Sequence, residues 1–172
     1  EIGCGTGLNL LKFVELGFNP KNIIGNELLH DRALDAKKNV PKEIKILEGN
    51  ALDLDLPNDF FDIVFQSTVF SSILNINFRK ELSLKLWQLV KPGGGILWYD
   101  FTYNNPSNKD VSGIKLKVLK QLFPEGKMKF WRLTLAPPIG RLVVKIHPSL
   151  YTFFNIFPFL KTHVLCWIEK KE

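Results

Sequence analysis

The chain has 172 residues, 45% of them hydrophobic, and carries a formal net charge of +6 at pH 7. That length fits one domain, and the composition excludes a disordered chain. The longest strongly apolar run, residues 150–160, is interrupted by Asn155 and Pro158 and falls short of the roughly 20 residues a membrane-spanning helix needs. The basic excess is concentrated between Lys109 and Lys145, where nine Lys or Arg face only Asp110 and Glu125. Such a segment is either a solvated surface or a face for an anionic substrate, an acidic membrane or nucleic acid. Cys4 and Cys166 have neither metal-ligand nor disulfide spacing, in keeping with a reducing, cytoplasmic setting.

In chain order, Glu1-Ile2 reads as the last step of a strand and residues 3–7 as a glycine loop. Leu8, Leu11 and Val14 predict a helix over 8–16, broken by Gly17 and Pro20. A short buried strand follows at 22–27, a polar helix at 30–39 stopped by Pro41, and strands at 44–47 and 61–66. Phe78, Leu82, Leu86 and Leu89 form one stripe and predict a helix over 77–90. Lys91-Pro92-Gly93-Gly94 ends it with a turn before a strand at 95–101. A loop at 104–108, a helix at 114–123 and two further strands at 128–135 and 163–168 complete the series. The connection 136–161 is long for a hairpin and is expected to fold as short helices or a lid. Alternating strands and helices predict an α/β fold, a Rossmann-like doubly wound sheet with helices on both faces. In that architecture ligands sit at the carboxyl ends of the strands. The loop at 3–7, Glu27, Asn50-Ala51 and Gln66 therefore converge on one crevice.

Three motifs bear on chemistry. In Glu1-Ile2-Gly3-Cys4-Gly5-Thr6-Gly7 the third glycine is Gly7, whereas a dinucleotide G-x-G-x-x-G would place it at position 8, which is Leu8. A carboxylate just ahead of such a loop repels a pyrophosphate and attracts an ammonium group. Glu27 lies 20 residues past Gly7, where a carboxylate accepts hydrogen bonds from both ribose hydroxyls; the plainer reading is a surface acid at a helix start. Gly49-Asn50-Ala51 precedes Leu56-Pro57 and Phe61-Asp62-Ile63-Val64, and the Asn50 amide suits an adenine edge.

Taken in order, E-x-G-x-G-x-G, an acidic end to the second strand, G-N-A with a downstream L-P, F-D-I-V, and K-P-G-G-G before a strand resemble class I S-adenosylmethionine-dependent methyltransferases of the small-molecule branch. The resemblance implies S-adenosyl-L-methionine as cofactor and a C-terminal antiparallel hairpin closing the sheet. It implies Glu1 facing the methionine ammonium, with Gly3, Cys4, Gly5, Thr6 and Gly7 along the methionine and ribose. Glu27 takes the ribose hydroxyls, Asn50 and Ala51 the adenine, and Gln66 a place near the transferred methyl. Asn50 departs from the Asp usual in the family. The chain starts inside the cofactor motif, so it is expected to be a single methyltransferase domain, 1–172, lacking its N-terminal segment and most of the first strand. As such it is expected not to form a stable, active monomer alone.

Gln66-Ser67-Thr68 stands where amino-methylating nucleic-acid enzymes carry N/D-P-P-Y, which argues against a nucleic-acid substrate, and no acidic cluster has metal-ligand spacing. The expected acceptor is a small molecule or a glycan- or lipid-linked intermediate, with the loop after residue 101 and the tail 150–168 resembling bacterial enzymes of surface polysaccharide or lipid-linked intermediates. A general base, needed for a poor nucleophile such as an alcohol, would come from Tyr103, His147, Tyr151 or Asp100, with Tyr103 and His147 the catalytic candidates and Asp100 read chiefly as a strand-end hydrogen-bond partner. Residues 150–160 either pack as core or form a lid over a lipidic or aromatic substrate, touching a membrane with help from the basic segment. The competing readings are a non-catalytic binding domain with this fold and an NAD-dependent oxidoreductase, the latter opposed by Gly7 and Leu8.

Overall fold

The structure, a computed structural model, describes residues 1–104 and 108–172; Asn105, Pro106 and Ser107 of the expected loop lie outside the described residues. Among the described residues, six strands and six α-helices follow in the order α1 (Leu8–Glu15), β1 (Ile24–Glu27), α2 (His30–Asn39), β2 (Lys45–Glu48), β3 (Phe61–Ser67), α3 (Ile76–Leu89), β4 (Val90–Phe101), α4 (Leu116–Leu122), β5 (Lys127–Leu135), α5 (Pro137–Ile146), α6 (Pro148–Phe154) and β6 (Lys161–Glu169). β1 and β2 pair in parallel, as do β3 and β4. β6 runs antiparallel between β4 and β5. The two groups of strands meet at Ile2, which bridges Asn26 on one side and Gln66 on the other. The Ile2 N–H donates to the Phe65 carbonyl at 2.9 Å and the Cys4 N–H to the Asn26 carbonyl at 2.8 Å. The arrangement is the expected mostly parallel α/β sheet with a closing antiparallel hairpin.

Side-chain alternation along the strands feeds two cores. Leu82, Leu86 and Leu89 of α3 and Leu119 and Leu122 of α4 pack with Ile96, Trp98, Cys166 and Ile168. Leu10 of α1 and Ala33 and Ala36 of α2 pack with Cys4, Ile23 and Ile46. The Phe13 ring of α1 meets Phe65 of β3 edge to face at 5.3 Å, so helices cover both faces.

The expected turn at 91–94 is instead part of β4, as a bulge. Phe61 faces Val90, and the next pair is Ile63 with Gly95. Asp62 alone thus stands opposite four residues, with Gly93 in the left-handed region at φ 79°. The connection 136–161 holds the short helices α5 and α6 and a 3-10 turn at Pro158–Leu160. Phe101 is in register with His163, and Leu135 with Lys161. α5 and α6 therefore emerge at the end of the sheet where β1 to β4 finish.

Candidate cofactor-binding crevice

A crevice of about 790 Å³ opens at that end, within the range of small-ligand sites. Its floor is the glycine loop. Gly3, Gly5 and Gly7 all have positive φ, at 67°, 57° and 87°, a conformation glycine adopts without strain. A Cβ on Gly3 would sit 2.6 Å from Val69 Cγ2, and one on Gly7 would sit 2.6 Å from Val40 Cγ1. Gly7 thus lets the start of α1 close on α2, while a Cβ on Gly5 would meet nothing within 4 Å, leaving the loop backbone open to a ligand.

Glu27 ends β1 inside the crevice, 5% exposed. The Gly5 N–H donates to its Oε2 at 2.8 Å and the Leu29 N–H to its Oε1 at 3.0 Å. Neighbouring Asn26 donates through Nδ2 to the carbonyls of Leu47 at 3.2 Å and Gly49 at 2.9 Å, tying the end of β2 to the end of β1. Asn50 and Ala51 line the same cavity. The Asn50 Oδ1 accepts from the Leu52 N–H at 3.1 Å and caps a 3-10 turn at Ala51–Asp53, so its amide Nδ2 is the freer end. Leu28, Leu29, Ile73 and Phe78 add apolar wall.

Of the residues singled out from the sequence, Gly3, Cys4, Gly5, Thr6, Glu27, Asn50 and Ala51 meet in this crevice. Glu1, Gly7 and Gln66 stand behind it. The Asn9 Nδ2, on the crevice wall, donates to Glu1 Oε1 at 2.8 Å, and Glu1 Oε2 is buried without a partner. Burial pushes the Glu1 carboxyl above its ordinary value. Burial likewise pushes the Cys4 thiol up to about 11, so it stays protonated at neutral pH. Gln66 is fully buried because both ends of its amide serve the backbone: Nε2 donates to the Tyr99 carbonyl at 3.3 Å and Oε1 accepts from the Val69 N–H at 3.0 Å. It shapes the loop after β3 rather than lining the cavity. Tyr103 is 53% exposed and follows β4 outside the lining. His147 is exposed at the α5–α6 junction, its Nδ1 2.6 Å from Ser149 Oγ, and caps α6. Tyr151 packs its ring against Gly140 of α5. Asp100 is buried, accepting from the Ser71 N–H at 3.1 Å and the Phe101 N–H at 2.9 Å. Sequence reasoning missed Asn9 and Asn26; each lies within two residues of a motif position, and only the fold aims it.

A parallel sheet with a glycine loop after its central segment, an acid ending the next strand, and an antiparallel hairpin at the far edge define a class I methyltransferase fold. The model of a family described as "Methyltransferase domain" matches residues 1–98, and the chain belongs to that family. An uncharacterized methyltransferase of Bacillus anthracis (strain CDC 684 / NRRL 3495) is 31% identical over 124 residues, 71% of this chain and 56% of that protein. The chain thus spans little more than half the length of that relative. A protein-lysine N-methyltransferase of Saccharolobus islandicus is 26% identical over 116 residues, 64% of this chain and 66% of that one. Among solved structures, a SAM-dependent methyltransferase from Thermotoga maritima superposes with a TM-score of 0.71 at 18% identity, covering 99% of this chain and 80% of its own. The cofactor of this family is S-adenosyl-L-methionine. The residues present fit it: the loop backbone at Gly5 is open, Glu27 presents a buried carboxylate and Asn50 an amide inside the crevice, and behind it Glu1 Oε2 is buried without a partner.

Proposed function

We propose that the crevice binds S-adenosyl-L-methionine and that the protein transfers its methyl group to a small molecule or a glycan- or lipid-linked intermediate. The observation that carries this reading is Glu27, buried at the end of β1 and fixed by the Gly5 and Leu29 N–H groups. Each of its oxygens retains acceptor capacity for a ribose hydroxyl. Asn50 holds the adenine edge, and Asn9 keeps the Glu1 carboxylate behind the methionine end. When bound, the cofactor supplies an electrophilic methyl on a sulfonium. What the protein adds is alignment and the exclusion of water. Leu28, Leu29, Ile73 and Phe78 do the latter. Among the described residues lining the crevice, Glu27 is the sole acid and there is no His or Tyr. That supports an acceptor carrying its own nucleophile, such as an amine, thiol or carboxylate, in preference to an alcohol needing a base.

Thermal unfolding with S-adenosylhomocysteine and, separately, NAD tests the cofactor. At one hundred times its dissociation constant the first should stabilise by about 2.7 kcal/mol, and NAD should leave the transition unmoved. Stabilisation by NAD alone would overturn the reading. Cofactor binding with no transfer of labelled methyl to any extract fraction would instead favour a non-catalytic binding domain.

A further inference from the structure

Two exposed cations and the exposed apolar side chains fall on the same element, the α5–α6 connection. From residue 126 to residue 168 there are six Lys or Arg and no Asp or Glu; Arg141 and Lys145 are on α5, Lys127, Lys129 and Arg132 on β5, and Lys161 opens β6. Within that stretch Leu142, Ile146, Phe153, Ile156 and Phe159 are between 54% and 75% exposed. On α5 the buried positions are Gly140 and Val143. Arg141 and Lys145, four apart, form the stripe opposite them, and the exposed Leu142 and Ile146, also four apart, form the stripe beside it. α6 stays against α5 through Tyr151 on Gly140 and carries Phe153 outward, with Ile156 and Phe159 following. The strand register puts this element at the crevice end of the sheet.

We infer that α5, α6 and the turn after them form a docking surface for an anionic lipid bilayer, which holds the crevice end of the sheet against the membrane. The pairing of exposed aliphatic and Phe side chains with an acid-free basic stripe is what an interfacial helix requires. Nucleic acid would satisfy the cations but leave Leu142, Ile146 and Ile156 in water. A bilayer interface takes both. No described helix is long and apolar enough to cross a membrane, so this contact is peripheral. It goes beyond the methyl-transfer reading, and the two fail separately.

The test is vesicle flotation of the intact protein, using phosphatidylcholine alone and phosphatidylcholine mixed with phosphatidylglycerol. Association with the mixed vesicles only, weakened by added salt, is expected. Arg141→Gln with Lys145→Gln should lower partitioning about 25-fold, from roughly five-fold per surface cation. Leu142→Ser with Ile146→Ser, at unchanged charge, should lower it about ten-fold or more. The thermal shift by S-adenosylhomocysteine, measured on every variant, confirms that each is folded. No flotation of the unaltered protein with anionic vesicles overturns the proposal. So does flotation that the apolar pair leaves unchanged, or tighter binding to duplex DNA that the apolar pair does not affect. Loss of the cofactor shift with flotation retained would sink the methyl-donor reading and leave this surface standing.

Discussion

At the scale of single residues, Glu27 ties the site together. Its two oxygens take N–H groups from the glycine loop and from the start of the α2 connection, so one carboxylate orients two walls of the crevice before any ligand arrives. Charged hydrogen bonds of this kind contribute about 1.5–3 kcal/mol each. Glu27→Ala should therefore weaken S-adenosylhomocysteine binding by about ten- to 150-fold, read by titration calorimetry. An unchanged affinity would remove Glu27 from the ribose assignment. Much of this was legible in the residues themselves. The spacing of Gly3, Gly5 and Gly7 and the distance to Glu27 separate this loop from a dinucleotide one. Gln66 was not legible: a polar residue ending a strand reads the same whether it faces a ligand or, as here, satisfies Tyr99 and Val69. Which way such an amide turns depends on the backbone groups left unpaired around it.

At the scale of elements, the loop after β3 is held to β4 by a buried acid. Asp100 accepts the Ser71 N–H at 3.1 Å, and Val69, Ser72 and Ile73 of the same loop line the crevice. Close by, the Arg79 Nε donates to the Phe70 carbonyl at 3.1 Å and also to that of Ile73. Burial pushes the Asp100 carboxyl up to about 6, against an ordinary 3.8, despite the opposing pull of its N–H partners and of Arg79. A carboxyl whose folded value is raised binds its proton more tightly in the native state. Its stabilising contribution is complete below about pH 4 and is lost as pH rises through 6. The difference amounts to about 3 kcal/mol. Stability by urea unfolding should therefore fall between about pH 4 and pH 7, and Asp100→Asn should flatten that slope. A slope that persists in the variant would assign it to other groups. Periodicity placed most elements to within a residue or two because the apolar stripes of α3 and the strands are long. It failed at residues 91–94, where Pro92 and two glycines signal a turn but pairing of the flanking residues with β3 and β6 keeps them in the strand as a bulge.

At the scale of the molecule, the described residues form two packed bodies. β1, β2, α1 and α2 share one core and β3, β4, β6, α3 and α4 the other. The ladder between them runs through Ile2, with single backbone bonds to Phe65 and, through Glu1 and Cys4, to Asn26. The crevice draws its walls from both bodies: Glu27 and Asn50 from the first pair of strands and their ends, Ser67 from the end of β3 and Val69 from the loop after it. A ligand held in it is bound only when both bodies keep their native arrangement, so its binding free energy adds to their coupling. Local opening of the smaller body should expose β1 and β2, a pair with a four-residue ladder, at lower free energy than β4 and β6, paired over seven positions and buried at the centre of the second sheet group. Amide exchange followed by mass spectrometry should accordingly show weaker protection of residues 24–27 and 45–48 than of 95–101 and 163–169. Saturating S-adenosylhomocysteine should raise the first set most, toward the level of the second. Equal protection of the two sets without ligand would show that the contacts through Ile2 already lock the bodies together. Protection gained only around β4 and β6 would place the ligand away from Glu27.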